Sequence, residues 1–304
     1  MNEELLIRMT ISMKSGLHCN DRLRLEEHVR EYVQTSADEK LHQAASALQI
    51  LEGMRARIIH LYDGDYPPLL RELYDPPYLL AVIGELPPPD EPSVAVLGPE
   101  RPSTGACISA WSFGLEAGYA RTPVVSCCTG AWAAALQEGV RTAGGCLFQA
   151  VTGIPEDLPR WKCTEHADKT AESGGGLVME ITSDDVSHEA RRNRLVCGLS
   201  RSVLLLEAAA GASILDAADE ALDQGRDVTV HRRGISSPWG RGTKNLYESG
   251  APAVSWLGDI HRLWGYDTDS TPRVRYHRTG DQAPPNRACR IRIGGMDGWF
   301  ERIR

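Results

Sequence analysis

Residues 94–105 read VAVLGPERPSTG, an apolar run followed by a loop with glycine at both ends. The run from Val94 to Leu97 suits a buried strand, and Ser103 or Thr104 is a residue type that begins helices. Further apolar runs, separated by segments of helical length, cover residues 123–126, 146–151, 176–181, 202–207 and 227–231. Strands that alternate with helices predict an α/β protein with a doubly wound, mostly parallel sheet, which binds ligands at the carboxyl ends of its strands.

The segments on either side of this alternation have other patterns. Residues 1–56 are rich in Leu, Glu, Arg and Ala, with apolar positions every three or four residues, so they predict a small helical domain. Residues 57–258 form the predicted α/β domain. Residues 259–304 are predicted to be a short basic appendage of unclear structure, with short strands at 273–277 and 290–293. Its last 44 residues, 261–304, hold nine Arg and five acidic residues.

The overall composition limits the function classes. A formal charge of −8 confines any nucleic-acid binding to local basic patches. The chain has neither a run of about 20 apolar residues nor a signal-peptide pattern, so we expect a cytoplasmic protein with no membrane partner. The eight cysteines include no CxxC pair and lie mostly in apolar runs, which suits a reducing compartment. We expect no metal and no cofactor.

Small residues at three predicted strand ends are candidates for phosphate contacts. Gly98 allows a tight turn, and Ser103 can cap the next helix while exposing backbone amides to an anion; the alternative is an ordinary capped turn. Ser126 ends the second apolar run. Gly211 and Ser213 follow the run at 202–207, where small residues permit close approach of a ligand.

Two basic segments add charge near these loops. Residues 191–194 read RRNR, and their arginines cannot all face one direction on a helix, so at least one is free to reach a phosphate. The alternative is a surface cluster paired with Glu189, Asp184 or Asp185. Arg241 and Lys244 lie near Trp239 in a loop rich in Gly, Ser and Pro, and single-stranded nucleic acid binds such combinations of cation and aromatic ring.

In order and spacing, these segments resemble the DNA-processing protein A family. Its motifs YPxxL, DPPxxL, VVS, SE, RNRxxxGLS, VEA, GR and GxNxLIxxGA are matched by Tyr66-Pro67, Asp75-Pro76-Pro77, Val124-Val125-Ser126, Met179-Glu180, Arg192-Asn193-Arg194 with Gly198-Leu199-Ser200, Leu206-Glu207-Ala208, Gly225-Arg226 and Lys244-Asn245-Leu246. The resemblance implies an extended Rossmann-like fold and a homodimer that binds single-stranded DNA without catalysis. It also implies that the protein protects incoming DNA and helps load a RecA-type recombinase during natural transformation.

Taken together, the loops and the resemblance give a set of expected DNA or phosphate contacts. These are Gly98, Arg101, Ser103, Ser126, Arg192, Asn193, Arg194, Gly211, Ser213, Arg241 and Lys244.

Two departures from the family pattern keep other functions open. The family has Arg where this chain has Glu100, with Arg101 one place later, and its SGxARGID turn is replaced by SCCTGAWA at residues 126–133. One alternative is a partner-binding relic with weakened DNA binding. The other is an enzyme similar to the nucleoside-5'-monophosphate phosphoribohydrolases, with Asp216 in place of their acidic residue.

Overall fold

The computed structural model describes residues 3–14, 16–27, 38–127, 130–157, 170, 173–182, 188–278, 288–293 and 296–303. The helices are α1 (Glu3–Ser12), α2 (Cys19–Glu27), α3 (Asp38–Gly53), α4 (Pro68–Arg71), α5 (Thr104–Ala120), α6 (Ala131–Thr142), α7 (His188–Gly198), α8 (Asp216–Asp223), α9 (Arg232–Ile235), α10 (Arg241–Glu248) and α11 (Leu257–Leu263). The strands are β1 (Arg57–His60), β2 (Leu79–Gly84), β3 (Val94–Leu97), β4 (Val124–Cys127), β5 (Leu147–Gly153), β6 (Gly176–Ile181), β7 (Ser202–Leu205), β8 (Asp227–His231), β9 (Ala253–Val254), β10 (Val274–Arg278), β11 (Ala288–Ile293) and β12 (Met296–Arg302).

Nine of these strands form one sheet in the order β1-β2-β6-β5-β4-β3-β7-β8-β9. In sheet order, all strands from β6 to β9 run parallel. Strand β2 pairs antiparallel with β6, and β1 pairs antiparallel with β2. The predicted α/β class with a mostly parallel, Rossmann-like sheet is therefore confirmed. The remaining strands form a separate antiparallel sheet in the order β10-β12-β11.

Strand β3 shows why the sheet is covered on both faces. All four of its side chains are buried, and alternate residues point to opposite faces of a strand. Ala95 and Leu97 share a core with residues of α1, α3, α7 and α8. Val94 and Val96 share the other core with residues of α5, α6 and α11. The continuous apolar runs in the sequence reflect this double burial.

The two ends of the chain pack onto this central unit. Ile7, Met9 and Ile11 of α1 belong to the same core cluster as the sheet. At the other end, Phe300 of β12 stacks on Trp111 of α5, with ring centroids 6.0 Å apart. The buried Glu116 of α5 accepts hydrogen bonds from the backbone N–H groups of Leu257 and Val274, both at 3.0 Å. This carboxyl therefore links both α11 and the second sheet to α5. The domain boundaries after residues 56 and 258 remain predictions.

Candidate functional site

A cavity of about 830 Å³ lies where the chain direction across the sheet reverses. From β3 the chain moves through β4 and β5 to β6, whereas β7, β8 and β9 add on the other side of β3. Leu97 pairs with Leu205, so the loops after β3 and β7 begin side by side. The cavity is lined from these two loops and from the end of β4. Open parallel sheets bind ligands at such a switch point.

The loop after β3 forms one wall of the cavity. Ser103 caps α5, because its Oγ accepts a hydrogen bond from the backbone N–H of Ala106 at 3.1 Å. The backbone N–H of Ser103 itself donates to the Glu207 carboxylate at 3.0 Å. A carboxylate of the protein thus occupies the start of the helix where the sequence suggested amides open to an anion. Gly98 and Arg101 also line this wall, and Arg101 is exposed.

Trp132 forms part of the floor beneath Gly98. A Cβ atom added at Gly98 would lie 2.9 Å from the indole Cδ2 of Trp132, so the two residues are in contact only because position 98 has no side chain. Trp132 is 1% exposed and lies in the first turn of α6, next to the cavity. Sequence reasoning missed this residue, because an aromatic residue in a helix is the ordinary pattern of a core position.

Arg192 brings a cation to the opposite wall. Its side chain is 24% exposed, and its guanidinium lies 3.6 Å from the Glu189 carboxylate one turn earlier in α7. Glu189 also accepts a hydrogen bond from the Ser213 hydroxyl at 2.8 Å, so Arg192, Glu189 and Ser213 meet at the rim. A partly exposed ion pair at this distance contributes little stability. Arg192 can therefore exchange Glu189 for a phosphate at small cost.

Arg194 has a different environment, although it lies only two residues away. Its guanidinium is bound between the carboxylates of Glu180 and Asp75, and its side chain is 13% exposed. Burial lowers the pKa of Arg194, and the Glu180 carboxylate more than offsets this, so the pKa is raised and the group stays charged. Glu180 is 1% exposed. Arg194 is thus an internal ion-pair partner, which favours a structural role over the expected DNA contact.

Ser126 and Asn193, two further expected contacts, are also buried. Ser126 is 1% exposed and its hydroxyl donates to the Val96 carbonyl at 3.0 Å, within the sheet. Asn193 is 1% exposed as well, and its amide has no hydrogen-bond partner among the described residues. Neither residue belongs to the described lining of the cavity. The hydrogen bond of Ser126 lies within the sheet, which favours a structural role over the expected phosphate contact.

The remaining expected contacts lie outside the described cavity wall. Gly211 is exposed, with a φ of +70° that favours glycine. Arg241 begins α10, whose first turn is held against Ala208 by the backbone N–H of Gly242 at 2.8 Å. Lys244 lies 3.6 Å from Glu248 on the surface of the same helix. These residues are not part of the described lining, whereas Gly98, Arg101, Ser103, Arg192 and Ser213 are.

The cavity is also lined by an exposed aromatic residue and by a buried carboxylate, neither of which was among the expected DNA or phosphate contacts. Trp239 lies at its edge with 69% of its side chain exposed. Glu207, by contrast, is 1% exposed and accepts hydrogen bonds from Ser103 N–H and the Ser237 hydroxyl. Burial raises the pKa of the nearby Cys107 thiol, and the Glu207 carboxylate adds to this effect, so the thiol is a poor nucleophile.

The described residues contain neither a cluster suited to a metal ion nor a helix suited to a membrane. Over these ranges, no group of three or more His, Cys, Asp and Glu side chains is placed to hold a metal ion. No helix in the described part of the chain is both long and apolar enough to cross a membrane.

Comparison with known proteins identifies the family. A model of the DNA recombination-mediator protein A family matches residues 57–265. The chain belongs to this family. It is 28% identical over 224 residues to Protein Smf of Borreliella burgdorferi, covering 71% of this chain and 68% of that protein. It is 29% identical over 211 residues to the DNA processing protein DprA of Streptococcus pneumoniae, covering 66% and 71% of the two chains.

Solved structures of DNA recombination-mediator protein A relatives share the fold. The X-ray structure of DprA from Streptococcus pneumoniae superposes with a TM-score of 0.65 at 22% identity, covering 88% of this chain and 99% of that chain. DprA from Helicobacter pylori gives a TM-score of 0.57 at 19% identity, with 70% and 99% coverage. At these identities the similarity shows the fold alone.

Within the family resemblance, three motifs of this chain meet at one place. Asp75 comes from the DPP segment, Glu180 from the strand β6 and Arg194 from the RNR segment, and all three form the ion-pair network described above. Arg191 lies 3.6 Å from Glu180 in the same network. In this chain these motifs therefore stabilise the fold, whereas Arg192 faces the cavity.

Proposed function

We propose that this chain binds single-stranded DNA at the cavity between β3 and β7, as a binding protein rather than an enzyme. The observation that carries the proposal is Trp239, an indole 69% exposed at the edge of the cavity. Single-stranded nucleic acid is bound by aromatic rings that stack on bases and by cations that contact phosphates. Arg101 and Arg192 supply the cations in the same cavity. The Helicobacter pylori relative, whose structure is described as showing a single-stranded DNA binding mode, supports the proposal.

The charges of the cavity indicate how the strand binds there. Glu100, Glu189 and Glu207 line it together with Arg101 and Arg192, so its acidic residues outnumber its arginines. Phosphate neutralisation in this cavity is therefore weak, and base stacking on Trp239 supplies most of the affinity. We expect binding within the cavity alone to depend only modestly on salt.

The test compares Trp239→Ala with Tyr62→Ala in a fluorescence anisotropy titration of a labelled thymidine oligonucleotide. Tyr62 is a matched control, since its side chain is 71% exposed and it follows β1 at the far edge of the sheet. A base that stacks on an aromatic side chain contributes about 1–3 kcal/mol, so Trp239→Ala should raise Kd about 5- to 150-fold. Tyr62→Ala should bind like the wild type.

Equal affinities of the two variants would contradict the role of Trp239. Failure of the wild type to bind at low salt would instead favour the alternative in which the fold persists without DNA binding. The enzyme alternative is tested by incubating the protein with nucleoside monophosphates, where release of free base would contradict our proposal. In the structure Asp216 begins α8 and lies outside the described lining of the cavity.

Family membership supports three further parts of the proposal. We propose that the chain forms a homodimer in the cytoplasm, protects incoming single strands and passes them to a RecA-type recombinase. Light scattering after size exclusion measures the first part, and a monomer at micromolar concentration would contradict it. Nuclease protection of a bound oligonucleotide and RecA filament formation on it measure the other two.

A further inference from the structure

A second groove, of about 740 Å³, opens beside the first cavity. It lies between α5, the short helix α9 and the edge strand β10 of the C-terminal sheet. Ser103 and Trp239 line both the groove and the first cavity, so the two are continuous across Trp239. We call this second space the arginine groove.

Four arginines give the groove its charge. Arg232 and Arg233 belong to α9. Arg275 belongs to β10, and Arg273 directly precedes that strand. All four are exposed, and none of them forms an ion pair with a carboxylate in the part of the chain that the structure describes. Arg232 donates to the Ser255 hydroxyl at 3.1 Å, and Arg273 lies over the Trp256 ring with 5.2 Å to its centroid. Four arginines without carboxylate partners form a strong local attraction for phosphate.

One acidic residue, Glu116, belongs to the described wall of the groove. Its carboxyl accepts two backbone hydrogen bonds and is 2% exposed. Burial raises the pKa of Glu116 to about 8, so at neutral pH this carboxyl is mostly uncharged and does not cancel the arginines. The groove therefore carries a net positive charge, in contrast to the first cavity.

The wall also contains a buried hydroxyl that lacks a partner. Ser109 of α5 is 2% exposed and lines the groove, yet its Oγ has no hydrogen-bond partner within the described ranges. Ser112 and Glu116 follow it at helical spacing and line the same groove. Buried polar groups are normally hydrogen-bonded, so an unpaired hydroxyl in a cationic groove indicates a ligand with acceptor oxygens.

We propose that a single DNA strand bound at the first cavity continues past Trp239 into the arginine groove, where most of its phosphates are neutralised. This inference rests on the proposed function, and it adds a surface that β10 builds outside residues 57–265, the part matched by the family model. The occupant must carry several phosphates along a chain, because the four arginines are spread over two elements and the space is continuous with the cavity.

The experiment measures the affinity and salt dependence of the full chain for two thymidine oligomers of about four and about twelve nucleotides. The groove variant is Arg273→Gln with Arg275→Gln. The matched control is Arg262→Gln, which is 63% exposed on α11. The end of α11 lies at the amino-terminal end of the sheet, because Trp264 donates to Ser202 at the start of β7.

The groove variant should weaken binding of the long oligomer at least about tenfold and lower the slope of log K against log salt by about 1.4, or 0.7 for each lost phosphate contact. Its affinity for the short oligomer should stay near that of the wild type. Arg262→Gln should change neither value. If the groove variant fails to fold, Arg232→Gln with Arg233→Gln removes charge from the other wall and should give the same result.

Other outcomes overturn the inference in distinguishable ways. Unchanged long-oligomer affinity and slope in a folded groove variant, with a wild type that binds, would exclude the groove and leave the cavity proposal intact. Equal losses for both oligomers would place the short strand in the groove and overturn the path across Trp239. A wild type that binds neither oligomer would overturn the proposed function together with this inference.

Discussion

Replacing Arg194 by alanine should lower the free energy of unfolding of the protein, rather than weaken its contact with DNA. The guanidinium lies between Glu180 and Asp75, and it also donates to the Asp75 backbone carbonyl. Its loss would leave the Glu180 carboxylate, 1% exposed, with Arg191 at 3.6 Å as its one cationic partner among the described residues. Breaking a buried ion pair in this way costs about 3–5 kcal/mol, a large share of the roughly 5–15 kcal/mol that stabilises a typical domain.

The assay is urea denaturation followed by circular dichroism, with Arg192→Ala as the matched control. Both variants remove an arginine from α7, but the Arg192 side chain is 24% exposed and pairs only loosely with Glu189. We expect Arg192→Ala to lower the free energy of unfolding by about 1 kcal/mol or less. We also expect its affinity for single-stranded DNA to fall. Arg194→Ala, measured at a temperature where it is folded, should retain most of its affinity.

A double mutant separates the network from a general effect of truncation. In the Arg194→Ala background the Glu180 carboxylate is a buried charge without adequate compensation, so Glu180→Gln should recover part of the lost stability. The reasoning is refuted if the free energy of unfolding of Arg194→Ala lies within about 0.5 kcal/mol of the wild-type value. It is equally refuted if Arg194→Ala, measured where it is folded, loses DNA binding, because Arg194 would then be a ligand-binding residue.

Three further predictions concern buried groups and one close contact. The pKa of Glu116 is about 8, above its ordinary 4.5, so the free energy of unfolding should fall by roughly 5 kcal/mol as pH rises from 4.5 to 8. Denaturation of Glu116→Gln at pH 6.5 and 8 should show a flatter dependence. Burial and the neighbouring Arg233 lower the pKa of His231 to about 4, so the free energy of unfolding should fall by roughly 3 kcal/mol as pH drops from 6.5 to 4. Because Asn can still cap α9, His231→Asn should remove this loss. Gly98→Ala should cost about 1–3 kcal/mol because its methyl group meets the Trp132 ring at 2.9 Å, and a Trp132→Leu background should relieve most of that cost in thermal melts.

The central sheet could be predicted from the sequence because its strands are buried on both faces. Residues 94–97 and 203–206 are continuous apolar runs for this reason, and the loops that follow them lie where parallel strands end. The antiparallel pairing of β1 with β2 and of β2 with β6 was not predicted, because pairing partners far apart in sequence leave no periodic signal. Strand β12 was missed as well, since Asp297 and Gly298 interrupt its apolar pattern.

The roles of the two RNR arginines could not be separated from the sequence. Helical spacing predicts that residues 192 and 194 point in different directions, but the direction of each depends on carboxylates that are distant in the chain. Asp75 lies 119 residues from Arg194, and the Glu180 side chain points to it from a different element of the fold. Charge type alone indicated a phosphate contact for both. Burial, which only the fold defines, assigns one to the core and the other to the cavity.

The placement of charge explains how a chain with a net charge of −8 is suited to a polyanion. At the cavity, Glu189 and Glu207 are engaged by Ser213, Ser103 and Ser237, so these carboxylates organise the loops but also oppose a phosphate. Trp239 lies between this acidic side and the arginine groove. A strand that stacked on Trp239 would gain little from turning toward the acids and much from turning toward the groove. In the proposed path the direction of the strand is set by electrostatics, and Arg273 and Arg275, at the start of the C-terminal sheet, contribute half of the groove's arginines.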